Sequence, residues 1–134
     1  MKEYTQIFIA GITIPYLFFA IVASLLAWTN NIWVLQIAPL YLFGILWGLW
    51  NVLYYIAVRP FIDHVSNIRL VFGLHGAVLG IFLLLMLTLV FQVPAQLHLP
   101  SWILYPLVII VPIIYFFVWY YLVVWLNNLF GFDV

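Results

Sequence analysis

Formally charged side chains occupy only three places along this chain. Lys2 and Glu3 lie at one end, Arg59, Asp63 and Arg69 in the middle, and Asp133 near the other end. Between them run two charge-free stretches, Tyr4 to Val58 and Leu70 to Phe132, of 55 and 63 residues. A bilayer core about 30 Å thick takes roughly 20 apolar residues of helix to cross, so each stretch is about right for two crossings. The pattern predicts an all-α, polytopic integral membrane protein. Its four transmembrane helices form two hairpins in one domain over residues 1–134, with both termini cytoplasmic.

The polar interruptions set the boundaries. The first helix is predicted over residues 5–28 and ends at Thr29-Asn30-Asn31, because Asn tolerates the left-handed conformation that closes helices. The second is predicted over 32–58, since Pro60 biases Arg59 away from the helical region. Residues 59–67 form the one polar connector, with Ser66 or Asn67 as N-cap of a third helix over 67–91. Gln92 to Pro100 carries two prolines and reads as a surface loop. The fourth helix is predicted over 101–129. Its length, about 42 Å at 1.5 Å per residue, implies a tilt, a protrusion or a kink. The run Tyr4 to Trp28 exceeds the roughly 7–15 residues of a secretory h-region, and Ala23 and Ala27 do not form an Ala-x-Ala cleavage site. It therefore reads as a retained signal anchor.

Composition narrows the class further. The chain is 70 % apolar and 4 % charged, against about 25 % charged in soluble domains. A soluble fold of this size leaves too much apolar surface in water. Cysteine is absent, which removes disulfides, thiolate metal sites and iron–sulfur clusters. Three cations cannot form a nucleic-acid face. All three, Lys2, Arg59 and Arg69, fall on the side shared by the termini and the connector, which the positive-inside rule places in the cytoplasm of a cell membrane. The rings agree in position. Trp28, Trp33 and Trp102 fall at the outer helix ends, and Tyr4, Tyr54, Tyr55, Tyr120, Tyr121 and Trp125 towards the inner ends, as in two interfacial belts.

Helix association in lipid depends on close backbone approach and hydrogen bonds rather than on the hydrophobic effect. Gly44 and Gly48 line one face of the second helix, and Gly73, Gly76 and Gly80 one face of the third. Matched small-residue faces predict that these two helices pack on each other, with a homo-oligomer contact as the alternative. Phe43, Trp47, Trp50 and Tyr54 share another face of the second helix. They suit an intramolecular core, a surface for a partner subunit, or the wall of a pocket for a planar ligand. Polar residues at depth are Thr13, Ser24, Gln36, Asn51, His75, Asn127 and Asn128. Asn51 and His75 match in depth, which predicts a hydrogen bond between them with Tyr55 as a third member. In the connector, Asp63 is placed to neutralise an arginine, and Pro15, Pro39, Pro106 and Pro112 to kink their helices.

No helix carries a carboxylate, which small proton-coupled exporters and most ion-coupled pumps need on their path. No nucleophile, base and orienting group can meet, so an enzyme is not expected. Metal ligation by His64, His75 and His98 fails because His98 belongs to the opposite membrane face. The leading expectation is a non-catalytic, aromatic-rich subunit that packs against larger membrane partners, as an accessory subunit of a respiratory or other energy-converting complex. No resident cofactor is expected. The alternative is a small homo-oligomeric protein that binds or transports a haem, quinone, pigment or other hydrophobic ligand. Its site would be built from His75, Asn51, Tyr55 and Tyr115, with haem or quinone contact through His75.

Overall fold

A computed structural model describes residues 2–33, 35, 40–62 and 64–132. Gln36, Pro39, Asp63 and Asp133, to which the sequence assigns roles, lie outside them. Among the described residues all regular structure is helical. Four helices are long and apolar enough to cross a membrane: Glu3–Trp28, Tyr41–Phe61, Ile68–Val90 and Ser101–Leu129. Helix is what a lipid-immersed backbone demands, because every N–H and C=O then finds its partner within the segment. The chain is therefore of the multi-pass membrane class.

The boundaries have local causes. Asn30 takes the left-handed conformation (φ 57°), and the Asn31 N–H closes on the Leu26 carbonyl at 2.8 Å, which ends the first helix. Asn67 caps the third, its side chain accepting from the Leu70 N–H at 3.2 Å. The second helix does not stop at Val58. It passes through a π-turn at Tyr54–Val58 and a 3-10 turn at Arg59–Phe61, with Arg59 itself helical. The Arg59 N–H reaches Tyr54 O in this wider turn, so Pro60, which has no N–H to give, sits where the hydrogen-bond register changes. Pro106 falls two residues into the α-helical segment Leu104–Phe117, just after the 3-10 turn Ser101–Ile103, where the hydrogen-bond register changes. Pro15 and Pro112 stand inside continuous helix.

The first long helix packs on the second and the third on the fourth. Pairs in the first interface run antiparallel: Ile7 meets Asn51, Gly11 meets Gly48, and Tyr16 meets Gly44. The glycine faces of the second and third helices do not meet each other, which corrects the expectation from their spacing. A Cβ at Gly48 would lie 2.6 Å from the Phe8 ring and 2.5 Å from Ile12; one at Gly44 would lie 2.7 Å from the Tyr16 ring. Gly73, Gly76 and Gly80 instead seat Phe116, Trp119 and Tyr115 of the fourth helix. A glycine face is a groove, and a groove is filled best by a ring rather than by another groove. The nearest backbone approach is at Gly11, where a Cβ would stand 2.9 Å from Gly48 Cα and 3.0 Å from the Trp47 carbonyl.

Backbone cannot move aside as a side-chain end can. Gly11→Val is therefore expected to destabilise the protein by about 1–3 kcal/mol in detergent-micelle unfolding. Ala20→Val on the exposed side of the same helix should change stability by less than about 0.5 kcal/mol. Equal effects would mean that the first two helices do not pack through Gly11.

Candidate functional site

The second helix is the hub, and two successive residues of it face different neighbours. Asn51 and Asn127 exchange both side-chain bonds: Asn51 Nδ2 donates to Asn127 Oδ1 at 3.0 Å, and Asn127 Nδ2 returns to Asn51 Oδ1 at 3.2 Å. The other Asn51 N–H goes to the Ile7 carbonyl at 2.8 Å. Both amides are fully buried, at 0 % exposure. One residue thereby ties the first, second and fourth helices. Ile7 O accepts this bond on its second lone pair, a carbonyl having two.

Trp50, about 100° further round the helix, faces the third. Its indole N–H donates to the His75 carbonyl at 3.0 Å, and His75 Nε2 stands 3.0 Å from the Trp50 carbonyl. A carbonyl only accepts, so the imidazole proton in this contact is on Nε2. The two rings stack with centroids 4.8 Å apart.

The predicted Asn51–His75 bond is not made. Depth along the membrane normal matches, but the two side chains leave their helices in different directions, and depth alone does not fix that. Tyr55 stands edge-on to Tyr54 and to Phe132, with centroids 5.4 and 6.2 Å away. Tyr115 meets Trp47 edge-on at 5.2 Å. The four residues proposed from sequence as one ligand site are thus distributed among different contacts.

Phe43, Trp47 and Tyr54 are buried, and Trp50 packs partly buried against them. Their face meets rings of the third and fourth helices: Trp47 against Trp119, Trp50 against Phe82 and Tyr54 against Phe72. It is an interior surface, not an open docking face, and Tyr54 belongs to the core rather than to an interfacial belt. Trp28, Trp102, Tyr121 and Trp125 are exposed. The hydroxyls of Thr13 and Ser24 return to carbonyls of their own helix, Ile9 O at 2.7 Å and Ala20 O at 2.8 Å.

A surface cavity of about 370 Å³ opens where the third and fourth helices meet their loop, lined by Thr88, Gln92, Ser101 and Leu104 among others. Apolar grooves of about 360 and 390 Å³ lie beside Ala77, Pro112 and Phe116 and along Leu17, Ala20 and Ser24. None of these is lined by His75, Asn51, Tyr55 or Tyr115. Among the described residues no three His, Asp or Glu stand together as a metal site.

Gly11, Ile7 and Trp119 are central here and were not singled out by pattern. Gly11 lacks a second glycine four residues away, and a hydrogen-bonding backbone carbonyl such as Ile7 O has no sequence signature. Trp119 stands among Phe116, Phe117, Tyr120 and Tyr121, and no spacing sets it apart from them. Compared with protein-family models, with curated proteins and with solved structures, the chain shows no match.

Asn51→Leu or Asn127→Leu is expected to cost about 1–3 kcal/mol, because each strands the partner amide in the core. The double variant should cost less than the sum of the two. Additive losses in the same unfolding assay would mean that the amides act independently.

Proposed function

We propose that this chain is a non-catalytic integral membrane subunit that packs against larger membrane proteins, as an accessory subunit of a respiratory or other energy-converting complex. The observation that carries this reading is how the deep polar groups are committed. The Asn51 and Asn127 amides bond each other and a backbone carbonyl, and Trp50 and His75 bond each other's backbone. Such groups fix helix positions; they are not arranged around a reacting centre. The first helix supports the partner half of the reading. Its inner half is seated on the second helix through Gly11, yet it is the least buried of the four, with Leu17, Phe18, Ile21 and Leu25 exposed. Both loops at that end of the bundle are free of formal charge.

The protein sits in the cell membrane as two hairpins, with both termini and the Arg59–Asn67 connector inside. Lys2, Arg59 and Arg69 on that side, and none opposite, are the support for this orientation.

Mild native extraction should yield the chain within a larger assembly, identified by mass spectrometry of the co-purifying subunits. A stable, partnerless, monodisperse protein would remove the proposal, and a bound haem or pigment in its absorbance spectrum would favour ligand binding instead. The chain has no cysteine, which makes topology directly readable. Asn31→Cys and Gln96→Cys should react with an impermeant thiol reagent from outside intact cells, and Ser66→Cys only after lysis. The reverse pattern would invert the orientation.

A further inference from the structure

We propose that the cavity where the third and fourth helices meet their loop binds the head of an uncharged lipid. The head would be one that presents carbonyl oxygens, as a quinone ring or an acylglycerol does. The volume, about 370 Å³, falls within the roughly 300–1,000 Å³ of small-molecule sites. Thr88, Gln92 and Ser101 supply polar atoms, while Leu89, Leu99 and Leu104 supply apolar wall. One apolar span, Ile68–Val90, ends at this level and another, Ser101–Leu129, begins there. The cavity therefore straddles the boundary between lipid and water. Leu89 on its wall is 69 % exposed, so an acyl or isoprenoid tail has apolar surface to follow.

The polar side chains favour a ligand that accepts hydrogen bonds. Neither the Gln92 amide nor the Ser101 hydroxyl makes a side-chain hydrogen bond among the described residues. Thr88 gives its one proton to its own helix, at Leu84 O 2.8 Å away, and keeps only acceptor capacity. Gln92 also holds a left-handed backbone, φ 49°, which glycine would adopt with less strain. Strain of this kind recurs at ligand clamps. The loop is nonetheless pinned: Gln96 Nε2 donates to Phe91 O, and the Leu99 N–H to Pro94 O, each at 2.8 Å. Its walls thus stand in place without a ligand. Charge excludes a phosphate head, since no Lys or Arg lies between residues 70 and 132, and His98 does not line the cavity. An uncharged carbonyl head needs no counter-charge. Binding involves no reaction, so the non-catalytic reading is untouched.

The test is photo-crosslinking of the full chain in lipid nanodiscs, with labelled peptides mapped by mass spectrometry. Three probes carry the reactive group on the head: a benzoquinone with an isoprenoid tail, a diacylglycerol and a phosphatidylglycerol. One uncharged probe should label residues 88–104 above the other helices, and its unlabelled parent should compete. Which of the two does so identifies the source. Gln92→Gly removes the amide and suits the left-handed backbone, and Ser101→Ala removes the hydroxyl. Each should weaken competition by about 2–10-fold, the loss of one neutral hydrogen bond. Labelling spread evenly over all four helices overturns the proposal. Equal labelling of residues 88–104 by phosphatidylglycerol does so too, as does unchanged competition in both variants.

Discussion

Lipid gives apolar helices little reason to prefer one another over acyl chains, so a membrane bundle must be held by contacts that lipid cannot imitate. In this protein that constraint is met around Asn51. A primary amide has two donors and an acceptor, and here they reach a backbone carbonyl of the first helix and a matching amide of the fourth. Removing either amide leaves the other with no water to turn to. The rest of the packing, glycine seats and stacked rings alike, keeps the helices at the distance this junction needs.

That distance is short on one side of the second helix and long on the other. Towards the first helix, Gly11 and Gly48 bring backbones almost into contact. Towards the third and fourth, Trp47, Trp50 and Tyr54 hold the helices apart with their rings. The glycines of the third helix then give room to Tyr115, Phe116 and Trp119. Small residues and rings are distributed here as complements, so Tyr115, Phe116 and Trp119 each have a recess. The price is a core whose fit depends on many aromatic orientations at once.

Three of the four long helices contain a π-turn, at Tyr54–Val58, Met86–Val90 and Val118–Val123. Such a turn adds about one residue to the local register. In uninterrupted α-helix, Asn127 would point about 80° away from Trp119, at about 100° per residue. A delay of one residue brings the two to within roughly 20°, and both side chains are fully buried. The widened turn therefore carries an inward-facing polar residue to the place where Asn51 can meet it.

The sequence by itself determined the helical class, the number of long apolar helices, and several of their ends. Those follow from local facts: charge excluded from lipid, Asn30 tolerating a positive φ, and Asn67 offering an oxygen to the Leu70 N–H. It also marked Asn51, the glycines and the aromatic face as residues that must meet something. Tertiary structure alone decided what each of them meets. Depth can be counted along a chain, but azimuth depends on π-turns that no residue pattern announces. Complementarity of groove and ring likewise belongs to pairs of helices, so it does not exist until two surfaces come together.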